Sequence, residues 1–182
     1  MNLQIISGKL KGRKLTAPRG KLTHPMGSRI RNSLFNIIGD EINDSRVLDV
    51  FAGSGSIGLE AVSRGAKSVI FVERDRVAGN MLSENIDKLD IDGQTKVFKM
   101  GVKTWIEKNQ DNFFDIIFAD PPYSNLQLST VFELLGLLKP NGLMVLSYPG
   151  RGELPTVQGV VVVDNRSYGT AALAFYRKNS GR

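Results

Sequence analysis

Over most of its length the chain alternates short apolar runs with stretches of helical period. Residues 46–51 form an apolar run, followed by a glycine-rich turn and a helix-patterned stretch to about Arg64. Residues 68–73 predict a second strand. A helix over about 75–89 follows, with Ala78, Leu82, Asn85 and Leu89 on its inner face. Strands are expected at 95–99, 114–119 and 142–147, with helices at 102–108 and 127–138 between them. Such alternation predicts a parallel sheet covered on both faces. The end of the chain breaks the rule. Residues 160–164 and 171–177 both read as strands, and the few residues between them, Gly169 included, leave no room for a crossover helix. They predict an antiparallel hairpin.

Ahead of this body lies a different pattern. Residues 3–7 and 13–17 read as two strands around a glycine-bounded turn at 8–12, with Lys9 and Lys11 at its tip. Residues 18–25 read as loop. A helix is expected from Ser28, as its N-cap, to about Ile38, with Gly39 ending it. Ile30, Leu34, Ile37 and Ile38 would face inward, and Arg29, Asn32 and Asn36 outward. The break at 39–44 divides the chain into an N-terminal extension, 1–39, and an α/β body, 40–182.

Charge sharpens that division. The net charge is +6, with 24 basic and 18 acidic residues. Lys9, Lys11, Arg13, Lys14, Arg19, Lys21, Arg29 and Arg31 all precede the first acid, Asp40. The extension is therefore +8 and the rest −2, an asymmetry that suits an arm meeting a polyanion. The chain has 182 residues, 41% of them hydrophobic, enough for one domain with a real core. It has no cysteine, which excludes disulfides and thiolate metal sites. No membrane span or signal-peptide pattern is visible, so a soluble cytoplasmic protein is expected.

Two motifs carry the chemistry. In the first, Asp49 and Phe51 lead into Gly53-Ser54-Gly55, with Gly58 completing a G-x-G-x-x-G pattern at a strand-to-helix turn. Glycines there let a ligand approach the backbone, and the helix start offers free N–H groups. Glu73 ends the next strand, where its carboxylate can accept from both ribose hydroxyls of a nucleoside cofactor. Arg74 follows it, and Gly101 and Val102 follow the third strand at the same edge. A dinucleotide has no obvious use for Asp49, whereas the ammonium of S-adenosylmethionine does. The terminal hairpin is also the usual ending of the class I methyltransferase fold. The fold expected is therefore a Rossmann-like α/β methyltransferase with a mostly parallel seven-stranded sheet, preceded by a small hairpin and helix.

The second motif is Asp120-Pro121-Pro122-Tyr123, directly after the fourth strand. The lone pair of an exocyclic base amine is delocalised into the ring. Two acceptors aimed at its hydrogens favour rehybridisation and hold the nitrogen toward a methyl donor. Asp120 offers a carboxylate, Pro121 a carbonyl whose direction the di-proline fixes, and Tyr123 a face for base stacking.

These stretches resemble the small-subunit (16S) ribosomal RNA guanine-N2 methyltransferase family. Residues 6–15, 29–38, 48–66, 71–73, Asn85, 120–123 and 168–170 match it in order. The resemblance implies that Asp49, Gly53, Gly55 and Glu73 bind the cofactor and that 120–123 hold the guanine. It implies a basic extension, with Lys9, Lys11, Arg13, Lys14, Arg29 and Arg31, on rRNA in an assembling small subunit. No metal is implied, and a monomer is expected. Three features depart from the pattern. His24 replaces an arginine before the first helix and is read as a weaker RNA contact. Lys99-Met100 offers no acid for adenine, which backbone groups would then hold. Ser147 stands where relatives often carry Glu. An adenine-N6 methyltransferase uses the same loop, but commonly adds a target-recognition domain for which there is no room. A nicotinamide oxidoreductase leaves 120–123 unexplained, as does a non-catalytic RNA-binding factor.

Overall fold

The structure, a computed structural model, describes residues 3–17, 26–150, 154 and 156–180. Seven strands form one sheet in the order β3-β2-β1-β4-β5-β7-β6. They are β1 (Arg46–Val50), β2 (Ser68–Val72), β3 (Thr95–Phe98), β4 (Phe114–Ala119), β5 (Leu138–Tyr148), β6 (Val160–Tyr168) and β7 (Ala171–Lys178). The first five run parallel, and β7 inserts antiparallel between β5 and β6. The helices are α1 (Ser28–Ile38), α2 (Ser56–Ser63), α3 (Arg76–Leu89), α4 (Val102–Lys108) and α5 (Leu128–Glu133). Two apolar clusters pack on opposite faces of the sheet. One joins α1, α2 and α3 to Val47, Phe71, Phe118, Val145 and Phe175; the other joins α4 and α5 to Leu48, Ile117, Leu146 and Tyr176. Among the described residues no helix is long and apolar enough to cross a membrane.

Several elements differ from expectation, each for a local reason. The expected helix over 127–138 stops at Glu133 and continues as a 3₁₀ turn, Leu134–Leu137. Gly136 weakens the helix there and Pro140 bars its continuation. Strand β5 starts early, at Leu138, with a register shift that accommodates Asn141 at φ 63°. Strand β6 runs on past Asp164 to Tyr168 through Asn165, Arg166 and Ser167, which read as loop. It is an edge strand, so polar residues fit both faces and discourage pairing with other chains.

The N-terminal hairpin is reduced to one antiparallel bridge, Gln4 with Lys14. The amides of Ile5, Gly12 and Leu15 still bond across it, to Arg13 O, Ile5 O and Leu3 O, while others go to the body. Glu60 of α2 accepts from the N–H of Ile6 (2.8 Å) and Ser7 (3.0 Å), and Ser63 Oγ accepts from Leu10 N–H (2.9 Å). Asn85 accepts from Thr16 N–H (2.8 Å) and donates to Thr16 O (2.9 Å). The turn lies so close to α2 that a Cβ on Gly8, at φ 80°, would sit 1.8 Å from Ser63 O. Leu3, Ile5 and Leu15 share the core of the body.

Helix α1 has Gly27, not Ser28, at its N-cap. Its buried face is Arg31, Leu34, Phe35 and Ile38, rotated from the expected one. Arg31 is therefore a correction. It is 1% exposed and donates to Met26 O and Gln4 O, with Glu60 3.7 Å from its Nε. A guanidinium enclosed this way is not available to RNA. It helps to dock the extension instead.

Candidate functional site

The strand register gathers both motifs at one edge. Val50 pairs with Val72 and Ala119, Val72 with Phe98, and Ala119 with Leu146. The residues that follow these strands, Phe51, Glu73, Lys99, Asp120 and Ser147, line the carboxyl end of the parallel sheet. The strand order reverses between β1 and β4, so the glycine-rich loop and the Asp120 loop flank the switch point where such sheets bind ligands.

The glycine-rich loop is braced from three sides. Phe51 enters it at φ 59°, a left-handed conformation costly for a non-glycine residue. Glu73 Oε2 accepts from Gly53 N–H (2.7 Å), and its Oε1 from Asp75 N–H (2.7 Å). Asn85 donates to Ser54 O (3.3 Å). Gly55 sits at φ 78° against α3, where a Cβ would lie 2.3 Å from Leu82 Cδ1. Glu73 thus holds the loop while its own 9% exposure leaves an edge toward solvent. Arg74 beside it is exposed.

Asp49 lies beneath this loop. Its carboxylate accepts from Gly58 N–H of α2 at 2.9 Å. Burial pushes its pKa well above the ordinary carboxylate range. The Gly58 bond pulls it back, and repulsion from Asp120 and Glu73 adds to the rise. Three carboxyl groups therefore converge here. Gly101, at φ −67°, caps α4, and Val102 is buried just beyond it, so α4 starts next to the end of β3.

Asp120 follows β4 directly. Burial raises its pKa, and the Ser147 hydroxyl counteracts part of that rise. Pro121 is buried and Pro122 exposed. The Pro122 carbonyl accepts from Asn125 N–H (2.8 Å), which closes the loop into a turn. Among the described residues no donor reaches the Pro121 carbonyl. Tyr123 exposes 42% of its surface, and its hydroxyl lies 2.8 Å from Ser147 Oγ. Burial raises the Tyr123 pKa; Ser147 opposes this and Asp120 reinforces it.

The basic residues divide. Lys9, Lys11, Arg13, Lys14 and Arg29 are exposed. Lys9 Nζ donates to Gln94 Oε1 (2.7 Å) and Arg13 to Lys88 O (2.8 Å), which sets the arm against the end of α3. His24 lies outside the described residues. Sequence reasoning missed Glu60 and the bracing role of Asn85, and it noted Ser147 only as a departure from the family pattern, not as the partner of Tyr123. The one signal for Glu60 was an acid inside the otherwise buried run Leu59-Glu60-Ala61-Val62.

Residues 3–177 match the family described as conserved hypothetical protein 95. YlbH of Bacillus subtilis, named provisionally as an rRNA methyltransferase, is 34% identical over 182 residues, covering 97% of this chain and 99% of that one. Ribosomal RNA small subunit methyltransferase D of Haemophilus influenzae is 32% identical over 180 residues, covering 96% and 93%. The solved structure of yhhF from Escherichia coli, named provisionally as a methyltransferase, superposes with a TM-score of 0.89 at 31% identity over 100% of both chains. The chain belongs to the conserved hypothetical protein 95 family, alongside these ribosomal RNA methyltransferases, and has the fold of the S-adenosylmethionine-dependent methyltransferases.

Proposed function

We propose that the chain methylates the exocyclic N2 amine of a guanine in small-subunit rRNA, with S-adenosylmethionine as methyl donor. The observation that carries this reading is the position of Asp120 and Pro121 directly after β4, beside the glycine-rich loop that follows β1, through the pairing of Val50 with Ala119. The donor set also suits the cofactor. Asp49, Glu73 and Asp120 crowd negative charge at the edge, and Asp49 is raised partly by the other two. A ligand bearing a sulfonium and an ammonium relieves that repulsion, whereas a dinucleotide pyrophosphate would add to it. Glu73 would take the ribose hydroxyls, the loop from Phe51 to Gly55 and Asp49 the amino-acid end, and Gly101 and Val102 the adenine. When bound, S-adenosylmethionine supplies an electrophilic methyl group.

The chain's own groups do the rest. Asp120 accepts one amine hydrogen and the Pro121 carbonyl the other, turning the nitrogen lone pair toward the methyl. As the nitrogen becomes positive, the Asp120 carboxylate stabilises it and takes up the surplus amine proton, with S-adenosylhomocysteine as the other product. Tyr123 presents its ring to the base. Lys9, Lys11, Arg13, Lys14 and Arg29 hold the RNA backbone, and the extension, residues 1–39, works as the RNA-binding part. The test is transfer of labelled methyl into small-subunit particles, naked rRNA and DNA, followed by nucleoside analysis. N2-methylguanosine in rRNA is expected. N6-methyladenosine would replace the reading with an adenine enzyme, and no transfer to any of the three would overturn it.

A further inference from the structure

In β5 the run from Leu143 to Tyr148 is wholly buried, and Ser147 is its one small hydroxyl residue. By strand alternation Ser147 shares a face with Leu143 and Val145, which lie in the cluster beneath α1 and α2. A buried hydroxyl there costs stability unless it is bonded. Its partner is the Tyr123 hydroxyl, at 2.8 Å. The pairing of Ala119 with Leu146 sets Ser147 beside Asp120 as well. Tyr123 itself is 42% exposed and stands on a loop held by a single turn bond at Pro122. An aromatic ring so exposed gains little orientation from packing, and among the described residues the Ser147 hydroxyl is what its phenol bonds.

We propose that Ser147 is a positioning residue, whose hydroxyl tethers the Tyr123 phenol and so fixes the ring plane on which the target base stacks beside Asp120. The inference rests on the reading of Asp120 to Tyr123 as the base-binding loop. The tether orders the ring before the base arrives, so less freedom is lost on binding. It assigns the Tyr123 hydroxyl a role distinct from that of the ring. It also makes the fifth strand part of the base site, although Ser147 need not touch the base.

The experiment measures kcat and KM for methylation of small-subunit particles by the wild type, Ser147→Ala, Tyr123→Phe, the double variant and Ser147→Thr. Calorimetry with S-adenosylhomocysteine serves as the folding and cofactor control. Ser147→Ala and Tyr123→Phe should each lower kcat/KM about 3–10-fold, the worth of one neutral hydrogen bond, with cofactor affinity unchanged. The double variant should lose no more than Ser147→Ala alone, because that variant already removes the Tyr123 bond together with the Ser147 contact to Asp120. Ser147→Thr should restore most of the rate. Additive losses, or a full rate in Ser147→Ala, would overturn the tether. A wild type that methylates no base would instead overturn the functional reading beneath it.

Discussion

Replacing Glu60 by Ala tests how the extension is held. Glu60 is 0% exposed and serves four groups: the amides of Ile6 and Ser7, Arg64 Nε at 2.8 Å, and Arg31. The partners respond differently to its loss. The Arg64 side chain is 14% exposed, stacks over Phe35 at 4.9 Å and bonds Asn32, so it can reach water with little disturbance. Arg31 is enclosed and cannot. Deleting one partner of a buried pair costs about 3–5 kcal/mol. Two part-buried amides without acceptors would add at most about 1–3 kcal/mol each if nothing moved. These costs do not add in full. Lifting residues 3–17 wets the amides and Arg31 together, at the expense of the burial of Leu3, Ile5 and Leu15. The expected loss is therefore about 3–5 kcal/mol, set against the ~5–15 kcal/mol of a typical domain. Urea unfolding should show a lower midpoint. Trypsin should cut at Arg13 and Lys14 under native conditions, where the wild type resists. Glu60→Gln should fall between, since its amide keeps one acceptor and turns a donor toward another donor. A Glu60→Ala protein with the wild-type midpoint and trypsin resistance would refute the reasoning.

Three further outcomes follow from the site. Glu73→Ala removes the proposed ribose acceptor and frees Gly53 N–H, so S-adenosylhomocysteine affinity should fall by roughly 1–3 kcal/mol by calorimetry; unchanged affinity in a folded variant would remove Glu73 from the cofactor site. Replacing Lys9, Lys11, Arg13 and Lys14 by Ala should weaken RNA binding and flatten its salt dependence, by a slope of up to about 0.7–0.9 per lost phosphate contact. Filter binding across a salt series checks this, and an unaltered slope would make these cations a solvated face. Because burial raises the Asp120 pKa, its carboxylate gains a proton at a higher pH than an ordinary aspartate does. The single-turnover rate should therefore fall, as pH is lowered, before the usual aspartate range is reached. A rate flat through that range would contradict a carboxylate acceptor.

The parallel core was legible because its strands are buried on both faces and read as unbroken apolar runs; residues 114–119 match β4 and 102–108 match α4. The two loops at the sheet edge were legible because glycine frees the backbone and proline restricts it, each in a way the sequence displays. The face of α1 was legible only in part. Leu34 and Ile38 are buried as periodicity placed them and Ile30 and Ile37 pack partly buried against the core, but Arg31 and Phe35 are buried too, since a charge that finds an enclosed partner escapes the rule that charges face water. Arg31 and Glu60 lie far apart in sequence, and neither announces the other. The hairpin is shorter than the sequence suggested, one bridge with its flanking backbone bonds, and Glu60, Ser63 and Asn85 dock its remaining amides to the body. Ser147 stood out in sequence only as a departure from the family pattern, and its bond to Tyr123 emerges from the pairing of Ala119 with Leu146, which sets it beside Asp120.

The central claim is that Asp120 orients the base amine for methyl transfer. Single-turnover methylation of small-subunit particles by Asp120→Ala, with S-adenosylhomocysteine binding as the folding control, tests it most directly. The account predicts a rate about 10²–10⁴-fold below wild type with cofactor affinity little changed. An Asp120→Ala protein that transfers methyl to guanine at a near wild-type rate would contradict it.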